Sequence, residues 1–155
     1  MKPDWKKLLI CLGIPLAVGG LSALISGGMG SYGNFVQPPL SPPGWLFPLV
    51  WTILYLLMGY ASYRILTSGA PEAEKRSVLL FYGAQLALNF LWSPIFFGLS
   101  WYLLAFFVLL GLWALIYVTM RKFAKIDELA SDLLLPYILW VTFAGYLNLG
   151  VYLLN

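Results

Sequence analysis

Gln85, Asn89 and Trp92 recur at i, i+4 and i+7 within VLLFYGAQLALNFLWSPIFFGL, residues 78–99, so a helix there carries them on one face. The surrounding residues are apolar, and an amide turned toward lipid costs ~2–7 kcal/mol unless it finds a hydrogen-bond partner. Both amides must therefore point into a bundle. Gln85 reads first as a residue that ties helices together; Asn89 fits that role and a ligand contact equally. Trp140, Ala144, Leu147 and Val151 share a face in the same way on a second segment, with small Ala144 leaving space beside the indole. Trp51 lies equally deep in a third. Flat aromatic faces with one amide nearby suit the stacking of a large planar apolar ligand.

Other chemistries are excluded by what the chain lacks. It has no histidine, so neither a Ser-His-Asp arrangement nor histidine ligation of haem or zinc is available. No Asp or Glu lies inside an apolar segment, and such carboxylates are the usual carriers of proton coupling in transporters. Cys11 is the single cysteine, which rules out an intramolecular disulfide. No metal site and no required cofactor are expected.

These residues must be positioned by membrane helices. Of 155 residues, 61% are hydrophobic and 10% charged, against about 25% charged in a soluble domain, so the chain reads as an integral membrane protein. Five spans are expected at about 8–26, 45–66, 78–99, 102–120 and 133–153, each long enough for a hydrocarbon core about 30 Å thick. They leave room for one domain only, 1–155. The first span lacks a small-x-small cleavage site and reads as retained. Pro38, Pro39, Pro42 and Pro43 make the loop before the second span stiff and extended, a possible lid over a greasy pocket. Pro94 and Pro136 are expected to kink the third and fifth spans. The connection at Ser100–Trp101 is so short that the third and fourth spans must be antiparallel neighbours.

With five spans, every charged residue falls on one side, in the N-terminus and in or beside the second (67–77) and fourth (122–131) loops. The positive-inside rule then places the N-terminus in the cytoplasm and Asn155 outside. The net charge of +3 reflects that bias and not nucleic-acid binding. At ~1.5 Å per residue, Ser22, Trp51, Asn89, Trp92, Trp140, Ala144 and Leu147 fall in one layer, from mid-membrane to the outer half, beneath the Pro-rich loop. Trp5, Trp45, Trp101 and Tyr102 sit instead where an interfacial aromatic belt belongs. Gly19, Ala23 and Gly27 form a small-xxx-small row, for packing within the bundle or a homodimer seam.

Three stretches, PPLSPPGWLFPLVWTILYLLMGYASY (38–63), GAQLALNFLWSPIFFG (83–98) and PYILWVTFAGYLNL (136–149), resemble the tryptophan-rich sensory protein / translocator protein family, TspO/MBR. The order of these motifs, the length and the five-span plan agree across the whole chain. The resemblance implies an all-α membrane protein, a bundle of five transmembrane helices with the first loop capping an internal pocket, often homodimeric. It implies ligands such as porphyrins and isoquinoline-carboxamide or benzodiazepine compounds. By motif, the pocket should include Trp51, Asn89, Trp92, Trp140, Ala144 and Leu147, with Tyr32 and Pro42 from the lid. Two departures stand out. No Lys or Arg follows Tyr146 or Tyr152, so the sterol motif proposed for animal members is incomplete, and Leu104 replaces an aromatic pocket residue of those proteins.

The expected function is a receptor or sensor for tetrapyrroles such as protoporphyrin IX, the macrocycle lying between Trp51 and Trp140. The alternatives are photo-oxidative degradation of the bound porphyrin with Trp51 and Trp140 as participating groups, or transport of tetrapyrroles or lipids. A bacterial plasma membrane is the expected location.

Overall fold

The computed structural model describes residues 4–27 and 35–155. Six α-helices follow in order: α1 (Trp5–Ile25), α2 (Leu46–Leu66), α3 (Glu72–Ser93), α4 (Tyr102–Ala124), α5 (Glu128–Asp132) and α6 (Leu135–Leu154). A π-helical turn, Pro94–Gly98, extends α3. Five helical stretches are long and apolar enough to cross a membrane, and no strand occurs among the described residues.

At the charged end α1, α3 and α4 run past the expected apolar segments, whereas α2 ends at Leu66 as expected and α6 begins at Leu135. Asp4 caps α1, its side chain accepting from the Lys7 N–H at 3.2 Å. Pro71 precedes α3, and Glu72 and Glu74 occupy its first turn, where acidic side chains complement the helix dipole. The second loop is therefore shorter than 67–77. The fourth is interrupted by the short helix α5, capped by Asp127, which accepts from the Leu129 N–H at 3.0 Å. Hydropathy marks what is buried in lipid, whereas a helix continues until its backbone is capped.

The two prolines act differently. Pro94 lacks the N–H that α-helical bonding needs, and from there the pattern widens: Leu99 N–H donates to Pro94 O at 2.9 Å. Pro136, expected to kink the last span, instead stands in the first turn of α6, where a missing N–H leaves nothing unsatisfied. It starts the span.

Packing places the helices in a ring, α1–α2–α6–α4–α3, closed by α3 against α1. As the Ser100–Trp101 connection requires, α3 and α4 pack along their lengths. The α2–α6 seam is the sparsest. The core is built from Met58, Ala61, Ile65, Leu109, Leu112, Ile116, Phe123, Leu134, Tyr137 and Val141. At the charged end, Arg64 Nε donates to Asp127 Oδ2 at 2.7 Å, tying α2 to α5, and the buried Lys75 donates to Leu66 O at 3.0 Å. Trp5, Trp45 and Trp101 are exposed at helix ends, as an interfacial belt requires.

Close approach of α1 and α2 depends on two glycines. A Cβ on Gly59 would stand 2.6 Å from Cys11 O and 2.9 Å from Leu12 Cα, both backbone atoms that cannot swing aside. Gly19 faces the Tyr55 ring in contact too close for any side chain. The small-residue row of α1 is thus used, at Gly19, inside the bundle. Gly59→Ala is expected to destabilise the protein by ~1–3 kcal/mol, the range for overpacking, while Gly13→Ala, with open space around it, leaves the melting temperature unchanged or raised. Thermal unfolding in detergent, followed by circular dichroism, compares the two.

Candidate functional site

Above the Gly19–Tyr55 contact, α1 and α2 part and leave a cleft of about 260 Å³ between α1, α2 and α3. Its walls are apolar and aromatic: Phe47, Trp51, Tyr55, Trp92 and Phe97, with Ser22 and Ala23 from α1. Among the described residues its rim is the exposed Leu16, Gly20, Pro48 and Thr52. Trp51 stacks on Tyr55 with ring centroids 5.5 Å apart and meets Tyr137 edge-on at 6.2 Å. The indole is thereby held as a flat wall.

Asn89 lies at the floor, but its amide is engaged. Tyr55 donates to Asn89 Oδ1 at 2.9 Å, Asn89 Nδ2 donates to the Tyr137 hydroxyl at 2.7 Å, and Tyr137 donates to Gln85 Oε1 at 2.6 Å. Among the described residues one Asn89 N–H and the lone pairs of the Tyr55 oxygen remain unpaired. Gln85 and Asn89 both point into the bundle, 1% and 4% exposed. Trp92, one helical turn on, donates from Nε1 to Asn148 Oδ1 at 2.9 Å, and Asn148 donates to Tyr102 O at 2.7 Å. Ser22 is buried and donates to Phe90 O at 2.8 Å, joining α1 to α3. The amide face of α3 therefore binds helices and lines the cleft at once.

A second, much smaller void of about 20 Å³ lies between the Pro-rich loop and α6. Ala144 and Leu147 line it with Phe35, Gln37 and Ser41 of the loop. Phe47, Trp92 and Phe97 line both spaces and form the partition between them. Ala144 thus opens space beneath the loop and beside Trp92.

Trp140 is placed apart from both. Its indole meets Phe47 edge-on at 5.7 Å and Phe143 at 5.6 Å, and it lines a shallow apolar hollow at the α2–α6 seam with Val50, Leu54 and Leu139. Its buried N–H finds no acceptor among the described residues. Phe47, which meets Trp140, also lines the cleft. The structure thus brings together Ser22, Trp51, Asn89 and Trp92 in one cavity, and Ala144, Leu147 and Trp92 in the other. Pro42 is half-buried in the loop and lines neither; Tyr32 lies outside the described residues.

The described part of the loop is strapped to α6. Tyr146 donates to Pro39 O at 2.6 Å, Asn155 Nδ2 donates to Val36 O at 2.8 Å, and Val36 N–H donates back to Asn155 Oδ1 at 3.0 Å. Gly150 admits Pro38, whose Cβ and Cγ stand 2.6 Å from where a side chain would begin. Phe35 inserts against Phe96, Phe97 and Tyr102. Phe47, Tyr55 and Tyr137 carry much of this site, yet in sequence they read as ordinary apolar-face residues. The positions of Tyr55 at Trp51 + 4 and Tyr137 at Trp140 − 3 were the available signals.

The chain is similar to known proteins over nearly its whole length. The model of the TspO/MBR family matches residues 11–154. A tryptophan-rich protein TspO of Chlorobaculum tepidum is 40% identical, with 96% of this chain and 95% of the relative aligned. A tryptophan-rich sensory protein of Cereibacter sphaeroides is 38% identical over 100% and 95%. The translocator protein of Bos taurus is 35% identical over 96% and 89%.

Removing one strap should loosen the loop. A net hydrogen-bond contribution of ~0.5–1.5 kcal/mol corresponds to roughly 2- to 10-fold faster opening. Tyr146→Phe is expected to accelerate amide hydrogen exchange in residues 35–47 by that factor and leave α3 and α4 unchanged. Equal exchange in both proteins would mean that the contact holds nothing in place.

Proposed function

This chain belongs to the TspO/MBR family, and from that premise we propose that it is a membrane receptor taking a flat, apolar tetrapyrrole such as protoporphyrin IX into the α1–α2–α3 cleft. The observation that carries the reading is the Trp51 wall: an indole buttressed by Tyr55 and Tyr137, facing an otherwise apolar cavity. A stacked aromatic contributes ~0.5–1.5 kcal/mol beyond area burial. Isoquinoline-carboxamide and benzodiazepine-type compounds suit the same wall. A sterol fits it less well, since the basic residue of the animal sterol motif is missing.

The cleft of about 260 Å³ is smaller than the ~300–1,000 Å³ usual for drug-sized ligands. Binding a macrocycle therefore includes movement of Phe47, Trp92 or Phe97, which merges the cleft with the void beneath the loop. Rotation of Phe47 would also bring Trp140 to the ligand, giving the pair Trp51 and Trp140 on its two sides. The ligand's carboxylates would remain at the rim, because every basic side chain stands at the opposite end. That end lies in the cytoplasm by the positive-inside rule, the membrane being a bacterial plasma membrane and the working unit a homodimer. The names of the relatives, a sensory protein and translocator proteins, fit a protein that detects or carries such a ligand.

A second reading, light-driven oxidation of the bound porphyrin, is favoured by the direct exposure of the Trp51 ring to the cleft. Undiminished light-dependent loss of porphyrin in Trp51→Phe would remove it.

The deciding experiment is a dark titration with protoporphyrin IX, followed by tryptophan fluorescence, on the wild type and on Trp51→Phe, Trp92→Phe and Trp140→Phe. Saturable one-site quenching is expected, weakened several-fold by Trp51→Phe. Equal weakening in Trp140→Phe would place the ligand across the Phe47 partition; an unchanged Trp140→Phe would confine it to the cleft. Non-saturating quenching, identical in all four proteins, would overturn the proposal.

A further inference from the structure

Among the described residues the cleft is closed below, behind and toward the loop, and open at its side. Below, α1 rests on α2 at Gly59, and the Tyr55 ring fills the space at Gly19. Behind, α1 is fastened to α3. Pro94 has no N–H for the Phe90 carbonyl four residues back, and Ser22 of α1 donates to that carbonyl at 2.8 Å. The Ser26 and Ser93 hydroxyls meet at 2.9 Å. Toward the loop, Phe47, Trp92 and Phe97 separate the cleft from a void of only about 20 Å³.

At the side, two rows of cleft-lining residues border the opening. Leu16, Gly20 and Ala23 follow i, i+4 and i+7 on α1, and Pro48 and Thr52 follow i, i+4 on α2. All five are exposed. A Cβ on Gly20 would have nothing within 4 Å, whereas at Gly19 the Tyr55 ring already occupies that position. The helices therefore touch at position 19 and stand apart at position 20. Counted from Ile25 and Leu46 at ~1.5 Å per residue, Gly20 and Thr52 lie about 8 and 9 Å below the loop-side ends of their helices. That depth belongs to acyl chains, where an unsatisfied donor is costly. The one polar side chain of the two rows, Thr52, donates to Pro48 O at 2.7 Å, so the border is apolar toward lipid.

We propose that the cleft takes its ligand sideways from the bilayer, between α1 and α2, and that Gly20 is the residue that keeps this entrance open. The inference rests on the ligand reading given above and adds a requirement to it. The ligand must dissolve in the membrane first and present an apolar edge to the opening. A tetrapyrrole satisfies this, with its ring among the acyl chains and its carboxylates at the interface. The ring passes between Gly20 and Thr52 onto the Trp51 wall, while the carboxylates stay at the loop-side end, near Pro48. A molecule charged on every edge is refused. The Pro-rich loop is then a roof and not the way in.

The test compares the full-length wild type with Gly20→Leu, Gly13→Leu and Tyr146→Phe in phosphatidylcholine vesicles. Gly13 also has open space around it and lines no part of the cleft, so it controls for the added leucine. Stopped-flow quenching by protoporphyrin IX gives association and dissociation rates separately. Gly20→Leu is expected to slow both by roughly 10-fold relative to Gly13→Leu, and Tyr146→Phe to associate no faster than the wild type. An unaltered association rate in Gly20→Leu would overturn the inference, even if its affinity fell, because Gly20 would then only line the pocket. Faster association in Tyr146→Phe would make the loop the entrance. A second measurement needs no porphyrin, so it separates this inference from the ligand reading. In vesicles of phosphatidylcholine brominated on its acyl chains, the fraction of fluorescence quenched is expected to be larger in the wild type than in Trp51→Phe, and to fall in Gly20→Leu. A Trp51 contribution untouched by bromine would mean that the cleft is closed to lipid.

Discussion

The structure depends on one constraint: polar side chains of α3 lie at membrane depth, where no solvent can satisfy them. Gln85, Asn89 and Trp92 answer it by bonding to three different neighbours, reaching α2 through Tyr55, α6 through Tyr137 and Asn148, and α4 through the Tyr102 carbonyl that Asn148 meets. Rotating α3 by a single position would turn two amides and an indole N–H toward lipid. Each misplaced group costs several kcal/mol. The rotation and depth of α3 are therefore strongly specified, and with them the order of the ring. Apolar packing alone would not achieve this, since lipid chains solvate leucine as well as a helix face does.

The cleft follows from the same contacts. Glycines at positions 19 and 59 let α1 settle directly on α2, and Tyr55 is pressed between the Gly19 backbone and the Asn89 amide. Tyr55 in turn holds Trp51 flat. Beyond this clamp the space between α1 and α2 opens. Trp92 serves twice, giving its ring to the cleft wall and its N–H to Asn148. Bundle support and cleft wall are thus the same residues, which limits how far the wall can be altered without loosening the bundle.

On the loop side the energetic scale is smaller. A few hydrogen bonds from Tyr146 and Asn155, the Pro38–Gly150 contact and the Phe35 ring hold the lid to α6. Neutral bonds of this kind contribute ~0.5–1.5 kcal/mol each, so the loop is held less firmly than the amides of α3. The partition formed by Phe47, Trp92 and Phe97 is of mixed character. Trp92 is hydrogen-bonded in place, while Phe47 and Phe97 meet neighbouring aromatic rings.

Much of this was legible in the residues. Apolar runs and one-sided charge define five crossings, and the amide at position 89 with its partners at 85 and 92 announced an inward face of α3, because the cost of polar groups in lipid is a property of the residues themselves. The short Ser100–Trp101 link made α3 and α4 neighbours for the same local reason. Proline chemistry was legible only in part: Pro94 disrupts a helix already formed, whereas Pro136 begins one, and which applies depends on where the preceding chain ends. The placement of Trp140 behind Phe47, the division of the cavity into two spaces, and the use of Tyr55 and Tyr137 as partners of Asn89 were decided only by tertiary structure. Periodicity assigns a residue to a face of its own helix. Which neighbouring helix that face meets, and whether a gap remains, depends on the close approach of backbones and on bonds between helix residues as far as 68 positions apart.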